Sequence, residues 1–208
     1  MNEAYFEKLA GYARRLLDQL PIEREVQPLN YAVTLLSGAL EERRDRETAQ
    51  LRGLWSYALA PEREDSSPTG LNTIGLLSDR FTILLIREWC LRNKHNDPAK
   101  ADELQRTQTV EIIRAMAHCR RGSASVNSKI THLAAGVTAR DWEEAFYRLL
   151  AVNLVLWESQ EVLYIRDISV LPAEELRAYI QWFARGNVER NSLIEWVEVR
   201  FWEKAHSE

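Results

Sequence analysis

The chain has 208 residues, 46% apolar and 28% charged, with eight glycines, six prolines and a formal net charge of −4. That is the length of one domain, able to bury about 70% of its unfolded surface without disulfide or metal staples. The composition excludes disorder and collagen-like repetition, and the charge provides no basic field for nucleic acid or anionic lipid. No apolar run reaches the ~20 residues of a membrane span, and the opening MNEAYFEKLAGYARR lacks the apolar core of a signal peptide. The two cysteines, Cys90 and Cys119, fit a reducing compartment and so a cytoplasmic location.

Nearly every segment reads with helical periodicity. Residues 3–20 form an amphipathic helix behind Asn2 as N-cap, stopped by Pro21. Pro28 suits a first helical position, and apolar patterns over 29–40 and 51–59 flank the polar tract 41–50. One helix with an exposed middle and two helices with a break are both open. The segment PEREDSSPTG at 61–70 is the clearest loop. A strong helix is predicted from Thr73 to Asn93, ended by HNDPAK, and another from Pro98 to Cys119. Gly122 and Ser123 mark a turn, a short helix covers 126–135, and Gly136 ends it. Thr138 and Asp141 resemble a capping box for a helix running to Ile165, and the last helix spans 172–204.

No alternating strand pattern of useful length appears. The fold class is therefore all-α: a single-domain bundle of six to eight helices with a long C-terminal antiparallel helical hairpin. Residues 1–60 supply N-terminal helices packing on the bundle, 61–70 the loop and 71–208 the bundle core.

The final hairpin carries the most specific pattern. Ile180, Asn187, Ile194 and Phe201 fall seven apart, with Phe183 and Val197 between them. On the preceding helix Phe146, Asn153 and Gln160 repeat the spacing, interleaved by Leu149, Leu156 and Leu163. A turn near 167–171 then sets Phe146 beside Ile194 and Asn153 beside Asn187. Asn153 is the single polar residue between Leu149 and Trp157. A buried amide left unpaired costs about 1–3 kcal/mol, so Asn187 is the expected partner.

Arg190 takes the next seam position with Asn191 at its flank, and Glu161 follows Asn153 and Trp157 at spacings of four. Asp79 lies in the apolar stripe of Leu76, Ile83, Ile86 and Cys90, and a carboxylate there needs a cation such as Arg80 or Arg190. Glu161 is too far along the hairpin to meet Arg190. Two meanings follow for this set: a structural polar network that fixes register, or a ligand pocket.

The segments IGLLSDRFTILLIREW, NLVLWESQE and NVERNSLIEWVE, in this order, resemble a group of bacterial all-helical domains of unknown function. Those domains carry a DR-x-x-IL helix, an N-x-x-LW-x-x-x-E helix and a closing N-x-x-RN-x-x-IE helix. The matching positions are Asp79, Arg80, Ile83, Leu84, Asn153, Leu156, Trp157, Glu161, Asn187, Arg190, Asn191, Ile194 and Glu195. Ser159 and Gln160 stand where the group often has an acidic residue. The resemblance spans residues 70–204 and implies an all-helical fold. It also implies a genomic setting near glycosyltransferase and envelope-polysaccharide genes.

Other patterns carry less. Cys90, His95, His118 and Cys119 suggest zinc, but a hairpin turning near 97 separates the cysteines by roughly 20 Å. The helix-turn-helix-like stretch 128–149 has His132 where that motif needs a small residue, followed by a helix too long and apolar for recognition. The acidic pairs Asp141/Glu144 and Glu158/Glu161, which elsewhere hold magnesium from two helices, share one helix here. Arg200 and His206 match a loose helical-ribonuclease spacing of a kind that chance supplies. Trp89, Trp157, Trp182 and Trp196 read as core, whereas Trp142 and Trp202 near helix ends read as a docking surface. A second apolar face on the last helix (Tyr179, Trp182, Leu193, Trp196, Val199) requires cover from other helices or another subunit.

The sequence thus points to a non-catalytic binding or assembly module, with a protein partner or homo-oligomer. No nucleic acid, membrane span, cofactor, metal or catalytic residue is expected. The alternative is an enzyme or small-ligand binder, for a nucleotide or sugar, built on Asp79, Arg80, Asn153, Trp157, Glu161, Asn187, Arg190 and Asn191.

Overall fold

The computed structural model describes residues 3–18, 73–119, 136–165 and 167–207. The expectations for 28–60, 61–70 and 126–135 lie outside the described residues, as does the side chain of Leu163.

The described residues are all-helical, with no strand among them. Helix α1 is Glu3–Asp18 and α2 is Ile74–Asn93. Helices α3 (Pro98–Leu104) and α4 (Val110–Ala117) are joined by a π-helical turn, Gln105–Thr109. Helix α5 is Trp142–Ile165, a 3₁₀ turn covers Ile168–Val170, and α6 is Ala173–Ser207. None of these helices is long and apolar enough to cross a membrane.

Local chemistry sets the ends. Thr73 caps α2 through its side chain, and Asp97 caps α3 in front of Pro98. The start of α5 differs from expectation by one turn. Asp141, not Thr138, accepts the Glu144 N–H at 2.9 Å, while the Glu144 carboxylate accepts the Arg140 N–H at 3.1 Å. Asp141 is thus the side-chain cap, three residues beyond the expected Thr138, and the Glu144 carboxylate reaches back past it to the amide of Arg140.

Pairs of touching residues give the directions. Tyr179 Oη donates to the Ser159 carbonyl at 2.7 Å, Arg148 lies 3.7 Å from Glu189, and the position of Gly186 faces Leu156. The numbers fall on one helix as they rise on the other, so α5 and α6 are antiparallel. Asp79 meets Asn153 and Lys94 meets Glu158, which runs α2 parallel to α5. Helix α1 closes the core with Tyr5, Phe6, Leu9, Ala13 and Leu17, all fully buried. Its Phe6 stacks on Phe201, and Trp142 donates to Tyr5 Oη at 2.6 Å. Each such aromatic or leucine side chain contributes about 1.5–3 kcal/mol by leaving water.

Trp142 and Trp202, expected at a docking surface, are instead 0% and 6% exposed. Each sits near a helix end, but those ends converge on α1, so the position is interior. The second face of α6 is covered in part by residues 137–139. The Val137 carbonyl accepts Trp196 Nε1 at 2.6 Å, and Ala139 accepts Arg200 Nε at 2.8 Å.

At Gly75 the backbones of α2 and α6 come into close approach. A Cβ there would lie 2.4 Å from the Ile194 carbonyl oxygen, backbone that cannot swing aside. Gly75→Ala is therefore expected to lower unfolding free energy in urea titration by about 1–3 kcal/mol through overpacking. This holds although alanine gains roughly 1 kcal/mol of helix propensity. Gly11→Ala meets only the flexible end of Arg15 at 3.7 Å and should be neutral or stabilising.

Candidate functional site

Asp79 stands in the second turn of α2, on the side that α5 and α6 both cover. Its carboxylate takes every contact a buried anion requires. Arg190 donates from Nε to Oδ1 at 2.8 Å and from Nη2 to Oδ2 at 2.5 Å, a bidentate grip. Asn153 donates from Nδ2 to Oδ1 at 2.9 Å and to Thr82 Oγ1 at 2.8 Å. Thr82 Oγ1 in turn donates to the Asp79 carbonyl at 2.8 Å. Asn153 is 1% exposed, whereas the Arg190 side chain keeps 30%. Three helices are thus tied at one carboxylate.

This corrects the expected amide pair. Asn187 does not partner Asn153; its Nδ2 donates to the Phe183 carbonyl of its own helix at 3.0 Å. Asn153 turns toward α2 because an ionised carboxylate is a stronger acceptor than a neighbouring amide. Of the two arginines considered for Asp79, Arg190 is the one that binds it. Arg80 is exposed and Asn191 half-buried, and neither donates to Asp79.

Trp157 and Glu161 belong to a second cluster, at the far end of α2. Lys94, the C-cap residue of that helix, reaches α5 to contact Glu158 Oε1 at 2.5 Å and Glu161 Oε2 at 3.0 Å. Trp157 Nε1 donates to Glu161 Oε1 at 3.0 Å, and the ammonium lies 5.5 Å from the centre of the Trp89 ring. Burial alone would pull the Lys94 ammonium down, but the two glutamates outweigh it and raise its pKa. Burial pushes the Glu158 carboxyl up, Lys94 opposes the shift, and Glu161 adds to it. Cys90 beneath them is pushed up to about 12 by burial and by the charges of Glu161 and Glu158. A thiol held there is protonated at neutral pH and inert as a nucleophile.

Three buried carboxylates escaped the sequence reading: Glu88, Glu198 and Glu143, the last held by Lys204 of α6. Glu88 accepts Arg14 Nε at 2.8 Å and Thr109 Oγ1 at 2.5 Å, linking α2 to α1 and to the π-helical turn. Glu198 accepts the Gly75 amide at 2.7 Å and Trp202 Nε1 at 2.7 Å, placing an acid on the N-terminus of α2. Burial raises the Glu198 pKa against those hydrogen bonds. Glu88 and Glu198 were visible in principle. Glu88 continues the stripe of Ile74, Leu77, Phe81 and Leu85, and Glu198 continues that of Ile194 and Phe201.

The Asp79 cluster thus has its acceptors engaged by its own donors. Among the described residues no group of acids, histidines or cysteines is arranged to hold a metal ion. Compared with protein-family models, curated protein sequences and solved structures, the chain finds no match.

Removing one partner of the Asp79–Arg190 pair strands a buried charge. Arg190→Met should cost about 2–3 kcal/mol in chemical denaturation, below the roughly 3–5 of a fully enclosed pair because Arg190 is part-exposed. Asp79→Leu combined with Arg190→Met should recover most of that loss. Stability should also fall as pH rises from 9. The folded-state pKa values of Cys90, Tyr5, Tyr179 and Lys94 all lie above their ordinary values of 9.0, 10.0, 10.0 and 10.5. The unfolded chain therefore releases those protons first, and each rise in pH favours it. Melting temperature followed from pH 8 to 11 checks the sign, and Cys90→Ala should flatten the early part of the decline.

Proposed function

We propose that this chain is a non-catalytic helical scaffold that binds or assembles with another protein from the tip of its α5–α6 hairpin. The observation that carries this reading is the apolar surface there. Val170 is 76% exposed, Tyr164 75% and Ile180 57%, whereas most large apolar side chains of the described residues are buried. The polar cluster supports it from the other side. Asp79 is saturated by Arg190 and Asn153, so a ligand would first have to displace a bidentate arginine.

The proposal includes a cytoplasmic location, supported by Cys90 and Cys119 standing outside any disulfide. It also includes the full bundle of six to eight helices closed by the C-terminal hairpin. Kinship with the bacterial helical domains named above belongs to the same reading. Asp79, Asn153 and Arg190 are positions of their pattern, and here those residues hold one another. On this view the shared motif is a folding lock and not a substrate pocket.

A photo-reactive amino acid placed at 180 tests the reading in cells expressing the chain, with the exposed position 177 as the comparison. Discrete higher-mass adducts are expected from 180, while Ile180→Lys changes the unfolding free energy by no more than about 0.5 kcal/mol, the range of surface changes. Equal labelling at both positions would contradict the scaffold reading. So would a nucleotide or sugar that raises the melting temperature of the native chain but not of Arg190→Met.

A further inference from the structure

The side of the α5–α6 hairpin that receives α2 stays open toward the tip. Ser159 and Tyr179 touch where the two helices pack. Gln160 and Ile180 each follow that pair by one residue, and in antiparallel helices equal turns lead to the same side. Asn153 lies on that side too, and it holds Asp79 of α2. Helix α2 meets α6 at Gly75 and Asp79, but Lys94 at its end is on Glu158 and Glu161 of α5. From Asp79 to Lys94 the helix advances about 22 Å while its contacts move about 8–12 Å along α5, so it crosses α5 obliquely. Ile180, about 15 Å past Arg190 on α6, is left exposed.

What remains there is a seat for one more helix. Leu176 and Phe183, both half-buried, share a face with Ile180 at spacings of four and three. Across from them Gln160 donates to Tyr164 Oη at 2.6 Å, and Tyr164 is exposed. An apolar strip between two helices is the surface that an amphipathic helix covers. The charge nearby sets the kind of helix. Glu158 and Glu161, both part-exposed, carry one charge more than Lys94 cancels. From 158 to 181 the chain has five acids against two arginines. A second copy would press two acidic tips together, whereas a lysine or arginine meets opposite charge and an exposed tyrosine.

We propose that the partner at the hairpin tip is a cationic amphipathic helix, its apolar stripe on Leu176, Ile180 and Phe183 and a basic residue over Tyr164. This rests on the scaffold reading and adds the chemistry of the partner to it.

The probes are two labelled peptides of about 18 residues, five helical turns, each with one leucine stripe. The polar face is lysine in one and glutamate in the other. Fluorescence anisotropy on the full chain should show the lysine peptide binding at least tenfold more tightly, with the gap narrowing as salt is raised. Ile180→Lys should weaken the lysine peptide at least tenfold and Tyr164→Leu about three- to fivefold, both at unchanged melting temperature. Binding of neither peptide, equal or tighter binding of the glutamate peptide, or full affinity in either variant would overturn the proposal. So would a dimer in light scattering that Ile180→Lys dissolves, or a crosslink from position 180 that stays within its own chain. Adducts from position 180 without preference for the lysine peptide leave the scaffold reading intact and remove this one, whereas absence of adducts removes both.

Discussion

A carboxylate can be drawn out of water between three helices only if donors meet it there, and Asp79 imposes that condition on α2, α5 and α6 together. Arg190 satisfies both oxygens from α6, and Asn153 satisfies one from α5. The requirement is geometric as well as energetic. Slide α6 by one turn and Arg190 moves about 5.4 Å, beyond reach of Asp79. Gly75 permits the same approach one turn earlier, where the backbones of α2 and α6 nearly touch. Beside it Glu198 accepts the Gly75 amide and closes the N-terminus of α2.

Other helix contacts repeat this device with different partners. Glu88 meets Arg14 between α1 and α2, Glu158 meets Lys94 between α2 and α5, and Glu143 meets Lys204 between α5 and α6. Helices such as α2 and α5 bury residues on much of their circumference, so hydrophobic packing alone leaves several rotations and registers close in energy. A buried ion pair adds little net stability over an apolar replacement of the same shape. What it adds is a penalty for every arrangement in which the pair is broken. The molecule uses such pairs at successive levels along its length, and each specifies the packing of its own helices.

The sequence made the helical class legible because the apolar periodicity is strong and strand alternation absent. It also exposed Asp79 and Asn153, since a lone polar residue in an apolar stripe is conspicuous. The α5–α6 facing order was readable from two heptads, yet the partner of Asn153 was not. Heptads locate side chains along one seam, whereas Asn153 points between two neighbours and chooses the charged one. Trp142 and Trp202 misled for a related reason: nearness to a helix end says nothing about what lies across from it. Glu88 and Glu198 stayed hidden because a glutamate on a helix reads first as solvent-facing, and only the third helix reveals otherwise. Lys94 joined Glu158 and Glu161 from sixty or more residues away, a distance no local pattern spans.

If Asp79 is the point on which the helix arrangement depends, the guanidinium that holds it must behave as part of the core. The ¹⁵Nε–¹H resonance of Arg190 reports this directly, with Arg177 on the exposed side of α6 as an internal standard. The account predicts a shifted Arg190 signal with slowed exchange and order parameters near those of rigid backbone, about 0.85. An Arg190 signal that averages and exchanges as freely as that of Arg177 would contradict it.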